Sequence, residues 1–319
     1  MADSTLAAIR TKVRRLTRSP SEAQITTAQI DEYINTFVLY DFPENLRLFS
    51  LRSTFSFYTE PNVDTYEDST TPELVDFNNE YISVHEPVYV AGRQVFLSQS
   101  REQFYGLYPL TNALQSVGTG DGATTLFTGT LTSVPVLRNN VVFSGVDING
   151  DGLAAYDDGA GTFDGDGVGT IDYETGAWTM TFATAPEAGS TIQAQTIPYV
   201  AATPTAVLFY DNKFVMRPVP DRPYKVSVEV YKRPTELLAA GSSPDLEQWW
   251  QYIAYGAAKK IFEDRSDIDS VQQIMPAYKE QELLVLRKTI VQQTKERVAT
   301  IYTEGTNLGS GNSWWFNNS

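Results

Sequence analysis

Two strongly helical ends enclose a β-rich middle, and this arrangement limits the chain more than any other feature. Near the start it reads ITTAQIDEYINTFVLYDFPENLRLF, and near the end SPDLEQWWQYIAYGAAKKIFEDR. Leu6, Ile9, Val13 and Leu16 recur at helical spacing, which predicts an amphipathic helix over residues 5–18, capped by Ser4 or Thr5 and stopped by Pro20. A second helix is expected from Thr27, with Ile30, Tyr33, Ile34, Phe37 and Val38 as its apolar stripe, Asp31 in its early turns and Pro43 at its end. A third is expected over 244–264, with Ser243 as N-cap and Pro244 at its first position. Gly256, Ala257 and Ala258 on it would let another helix approach closely. A further helical stretch runs from 267 to about 301, either kinked or restarted at Pro276.

Between these ends the period changes to two. Residues 46–59, 81–97, 206–216 and 224–232 read as strands of a β-layer. From about residue 117, Gly, Thr and Asp rise, and short strand candidates alternate with the turn signals TGDG, DGDG, ETG and PEAG. The fold class expected is therefore α+β: a helical-bundle core with a small β-layer, plus an inserted all-β, sandwich-like domain. The core is assigned to residues 1–116 and 200–302, the insert to 117–199, and a Gly- and Asn-rich tail to 303–319.

Composition excludes several chemistries. The chain of 319 residues has no cysteine and one histidine, His85. Disulfides, thiolate metal sites and cysteine nucleophiles are ruled out, and a serine triad would have to use His85, with no nucleophile elbow in sight. No apolar run is long enough to span a bilayer, and no secretory signal is read at the N-terminus. The net charge of −15 opposes nucleic-acid binding by the chain as a whole. That charge is uneven: residues 117–199 hold ten acids against one base, Arg138, whereas the first twenty hold five bases against one acid. Arg10, Arg14 and Arg18 fall on one face of the first helix with Arg15 nearby. This face reads as a channel lining, a contact to an acidic neighbouring subunit, or a solvated surface.

The sharpest local motif is DINGDGLAAYDD, residues 147–158. It fits a calcium loop in which Asp147, Asn149 and Asp151 supply side-chain oxygens, Gly152 the turn, Leu153 its carbonyl and Asp158 the closing carboxylate. The Asp in place of Glu at the last position and the flanking strands depart from that pattern. An acidic hairpin loop without Ca2+ is the other reading.

The segments IRTKVRRLTRSP, IDEYINTFVLYDFPENLRLF and LEQWWQYIAYGAAKKIFEDR, within residues 6–49 and 234–265, resemble the head-to-tail adaptor (connector) proteins of tailed phages. The resemblance implies a structural, non-enzymatic subunit of the virion neck. It would form a dodecameric homo-oligomeric ring that binds the portal above and tail or nozzle proteins below, and that touches DNA passing through the channel. The cluster Trp314, Trp315 and Phe316 on the tail then suits portal binding, since a flexible segment can bury aromatics in a partner's groove. Two rival readings attach to the insert: host-glycan binding with Trp178 and the tyrosines stacking on sugars, and glycan hydrolysis by paired carboxylates.

Overall fold

The computed structural model describes residues 4–46 and 48–311. Its contacts divide the chain into two units. One comprises the chain up to Ser53, Asn79–Ser83 and the chain from Val230 onward; the other comprises Thr54–Asn78 and Val84–Glu229.

Along the chain the helices are α1 (Leu6–Leu16), α2 (Thr27–Thr36), α3 (Phe42–Asn45), α4 (Phe77–Glu80), α5 (Arg101–Leu107), α6 (Trp250–Asp264) and α7 (Ile268–Gly311). The strands are β1 (Arg52–Tyr58), β2 (Thr65–Tyr66), β3 (Tyr81–Val90), β4 (Arg93–Ser98), β5 (Ala113–Thr119), β6 (Leu126–Thr130), β7 (Val142–Val146) and β8 (Gly152–Asp157). They continue with β9 (Phe163–Gly165), β10 (Gly167–Ile171), β11 (Ala177–Phe182), β12 (Thr191–Thr196), β13 (Ala206–Tyr210), β14 (Lys213–Arg217) and β15 (Lys225–Lys232).

The first unit is helical, and its core joins the two ends of the chain. Leu6, Ile9 and Val13 of α1, Ile30 and Ile34 of α2, and Tyr252, Ile253, Ala257 and Ile261 of α6 share one buried cluster with Tyr278 and Val285 of α7. The Thr5 hydroxyl caps α1 by accepting from the Ala8 N–H. Thr26 caps α2 in a capping box with Gln29. After Thr36 the helix widens into a π-turn over Phe37–Asp41 and then continues as α3, so Pro43 lies in the first turn of α3 and does not end the run.

The third helix starts later than its cap signals suggest. Ser243 and Pro244 do not open it; residues 247–249 form a 3₁₀ turn and α6 begins at Trp250. The cause is local competition, because the Asp245 carboxylate accepts the Thr235 N–H at 2.7 Å and Leu246 is buried in the core. Helix α7 runs through Pro276 without a break and has 44 residues.

The second unit is built from sheets. Seven strands pair in the order β1-β15-β3-β4-β13-β14-β2, with β13 parallel to β4 and antiparallel to β14. Within this unit Phe57, Tyr66, Phe77 and Phe214 pack ring against ring, with centroids 5.3–5.6 Å apart in the Phe57–Phe214, Phe57–Tyr66 and Phe77–Phe214 pairs. Strands β5–β12 form the insert as two sheets, β10-β11-β6 and β5-β12-β7-β8-β9. Alternate residues Trp178, Met180 and Phe182 of the first meet Phe143, Ala155, Ile192 and Ala194 of the second in one core.

This architecture overturns the expected helical-bundle core with a small β-layer. Among the described residues fifteen strands form three sheets, and the largest assembly is the seven-stranded sheet. The segments 46–59, 81–97, 206–216 and 224–232, expected as one β-layer, do share this sheet, but periodicity does not give their order in it. The β4–β13 pairing joins Phe96 to Ala206 across the whole insert and is set by long-range registration that no local pattern encodes.

Candidate functional site

The basic face of α1 is divided between internal and exposed roles. The Arg10 guanidinium donates from Nε and Nη2 to the two oxygens of Asp31, at 2.5 and 2.6 Å. Such a bidentate pair is among the stronger charge-assisted contacts. Asp31 thus clamps α1 to α2, a role its place in an early helical turn did not reveal. Arg14 donates from Nη1 to the carbonyls of Ser19, Ser21 and Ile25, and from Nη2 to Glu22 and Thr27. It therefore gathers the whole α1–α2 connection around one guanidinium. Arg15 and Arg18 are exposed; Arg18, expected on the helical face, lies beyond the Thr17 C-cap with a left-handed backbone at φ 50°. Of the four arginines, these two are the ones still available to a channel or a neighbour.

Behind this face lies a buried aromatic cluster. Phe37 packs edge-on against Tyr252 at 5.3 Å, and Phe42 does the same at 4.9 Å. The Tyr252 and Tyr278 hydroxyls meet at 2.9 Å. Burial pushes both phenols up from their ordinary pKa, which keeps them neutral. Gly256 allows this packing, since a Cβ there would lie 2.2 Å from a Phe37 ring carbon. The close approach expected of the small residues on α6 is thus made here by the π-turn. At the edge of the same unit, the Tyr33 hydroxyl donates to Asp264 at 2.5 Å, and that bond raises its pKa to about 12.

Helix α7 exposes apolar side chains in its middle: Leu283 is 65% exposed, Leu284 47% and Ile290 57%. At 1.5 Å per residue the helix is roughly 66 Å long. Trp314, Trp315 and Phe316, the residues expected to meet the portal, lie outside the described residues.

In the insert, the residues of the expected calcium loop fall in two places. Asp147, Asn149 and Asp151 form the β7–β8 hairpin turn. There Asp147 Oδ1 accepts the N–H groups of Asn149 and Asp151 at 2.8 and 2.9 Å, and its Oδ2 accepts the Asn149 side-chain amide. Leu153 is a strand residue registered against Gly145. Strand β8 then carries the chain roughly 20 Å away before Asp158, given ~3.3 Å per residue. Asp158 closes its own turn, accepting the N–H groups of Ala160 and Thr162. The structure thus brings Asp147, Asn149 and Asp151 together but not Asp158. Among the described residues, no group of three or more His, Asp or Glu side chains is arranged to hold a metal ion.

Trp178 is 3% exposed and packs at 4.7 Å on Phe143, so it belongs to the sandwich core and is not a sugar platform. Among the described residues, no helix is long and apolar enough to cross a membrane. No protein-family model matches this chain, and no curated protein matches it in sequence.

Proposed function

We propose that this protein is a head-to-tail adaptor of a tailed-phage virion: a ring subunit of the neck that stacks on the portal, receives tail or nozzle proteins below and continues the DNA channel. The observation that carries this reading is the first unit itself. The segments that resemble adaptors, from both ends of the chain, fold into one helical core whose longest helix exposes Leu283 and Leu284. Exposed large apolar residues side by side on a helix favour burial against another surface, and copies of the same chain in a ring would provide it. Arg15 and Arg18 are the basic side chains left for the channel or a neighbouring subunit. Trp314, Trp315 and Phe316 are assigned the portal contact. The chain acts mechanically in this reading, and no catalytic step is assigned to it.

Negative-stain imaging of the purified protein, alone and with the portal of the same virion, tests the assignment. Closed rings in either condition are expected. Particles that stay monomeric even against an assembled portal would remove it. Deleting residues 307–319 separates the tail's role from the ring's: the truncated chain should keep its fold but no longer join the portal.

A further inference from the structure

The second unit contains a cleft of about 840 Å³. It lies among the loop carrying β2, helix α5, strand β14 and the Leu137–Asn140 turn of the sandwich. Its size falls within the range of small-molecule sites, roughly 300–1,000 Å³. Two ion pairs line it: Lys213 with Glu67 at 2.6 Å and Arg217 with Asp64 at 2.7 Å. These pairs are internally balanced, and Arg217 is nearly buried.

Two further guanidiniums line the same cleft in a different state. Arg101 lies over the Tyr105 ring at 5.8 Å, and Arg138 over the Tyr173 ring at 5.3 Å. Both are exposed, and among the described residues neither pairs with a carboxylate. Arg138 is the one base in residues 117–199, a stretch with ten acids. An unpaired arginine at this spot, in a chain of net charge −15, is the opposite of what the surrounding composition favours. Ring stacking limits the freedom of each side chain and leaves the N–H edge of the guanidinium open to a planar acid group.

The neighbouring side chains narrow the ligand class. Asn139 lines the cleft beside Arg138, held on a left-handed backbone at φ 58°. Asn140 donates its amide to the Arg138 carbonyl at 2.6 Å and keeps its side-chain oxygen as an acceptor. Charged donors next to amide donors and acceptors suit a molecule that carries isolated acid groups among hydroxyls. A dense polyanion such as DNA is disfavoured by the overall charge of −15 and by Glu60 along the cleft. A peptide adding to the sheet edge is disfavoured as well, because β2 offers an edge of only two residues.

We propose that this cleft binds an acidic saccharide, with Arg101 and Arg138 taking its carboxylate groups and Asn139 and Asn140 its hydroxyls. The site is independent of the ring assignment and is tested on the full chain alone. Trigalacturonic acid and sialyllactose are titrated at millimolar concentration by calorimetry or NMR, with maltotriose as the neutral sugar and a short polyglutamate as the peptide acid. At least one acidic sugar should bind and maltotriose should not. Arg101→Gln combined with Arg138→Gln should weaken binding about tenfold or more, in line with loss of charged hydrogen bonds. Arg93→Gln, on an exposed strand position away from the cleft, should leave it unchanged. Failure of both acidic sugars, equal affinity in the double variant, or equally tight binding of polyglutamate would overturn the proposal. Circular dichroism of the double variant checks that its fold is retained.

Discussion

Asn35 on α2 and Leu237 in the segment before α6 exchange two hydrogen bonds, each 3.0 Å long. The Asn35 amide nitrogen donates to the Leu237 carbonyl, and the Leu237 N–H donates to the Asn35 side-chain oxygen. The side chain of residue 35 thus substitutes for a backbone partner and ties a residue near the N-terminus to one 202 positions later. Both residues are buried. Replacing Asn35 by Ala strands two buried backbone groups, and the loss of stability should be on the order of 2 kcal/mol. Urea denaturation should show a lower midpoint with an unchanged slope. Asn35→Asp should also destabilise the protein, because a carboxylate accepts the Leu237 N–H but cannot donate to its carbonyl.

Gly256 carries a prediction whose sign runs against helix propensity. Gly→Ala within an exposed helix normally stabilises by about 1 kcal/mol. At position 256 the new methyl would meet the Phe37 ring, with 2.2 Å to the nearest ring carbon. Overpacking of this kind costs about 1–3 kcal/mol, so a net loss is expected. Shrinking the obstacle should restore part of it. Gly256→Ala combined with Phe37→Leu should therefore be less destabilised than the sum of the two single variants, as a double-mutant cycle in thermal or urea melts would show.

The helices of the first unit were the most legible part of the sequence. The Leu6–Ile9–Val13 stripe and the hydroxyl cap locate α1 to within two residues, because amphipathic period and capping are both local. Strand positions were legible for the same reason; the alternation of Trp178, Met180 and Phe182 does mark a buried face. What could not be read depends on distant partners. The start of α6 moved because Asp245 found Thr235, and the order of the strands in the seven-stranded sheet, with β4 beside β13, was set by pairing that the alternation did not show. Helix α5 escaped notice because seven residues with a glycine, Gly106, in the last turn and one buried side chain, Phe104, give too short a period. The cleft that it lines was therefore invisible as well. In the 147–158 motif, residue types matched a twelve-residue loop, but Leu153 and Ala155 are buried alternately on β8, and the period-two signal was the one that governed.

The carboxylates of the sandwich turns give a pH dependence with a definite sign. The Thr124 hydroxyl, with the N–H groups of Thr124 and Ala123, pulls the Asp121 carboxyl down to about 2. Asp147, Asp158 and Asp172 are also held below the usual Asp range, by the Asp151 N–H, the Thr162 hydroxyl and the Thr175 N–H respectively. A folded-state pKa lowered in this way contributes stability that is fully present above the unfolded value and is lost as pH falls through the folded one. With an unfolded Asp near ~3.9, the turns should hold above about pH 4 and loosen progressively toward pH 2. Protection of the Ala123, Thr124, Asp151 and Thr162 amides, measured against their intrinsic exchange rates, should fall over that window. Asp121→Asn should remove the pH response of Ala123 and Thr124 and leave that of Asp151 and Thr162 in place.

Arg10, Arg14 and Arg15 of the first helix and Arg18 just beyond its C-cap should separate into two classes when substituted one at a time. Arg10 and Arg14 are tied into the monomer: Arg10→Ala breaks the bidentate pair with Asp31, whose side chains are 19% and 24% exposed, and should cost about 1 kcal/mol. Arg14→Ala releases three carbonyls of the α1–α2 connection and should accelerate hydrogen exchange across residues 19–27. Arg15→Ala and Arg18→Ala touch exposed side chains and should leave monomer stability within about 0.5 kcal/mol of the parent. If those two side chains face a neighbouring subunit or the channel, their loss should appear only on assembly, as fewer closed rings or altered salt dependence of ring formation. Stability melts and ring counts on the same four variants provide the comparison. A pattern in which Arg15→Ala and Arg18→Ala assemble like the parent would leave the basic face of α1 as a solvated surface.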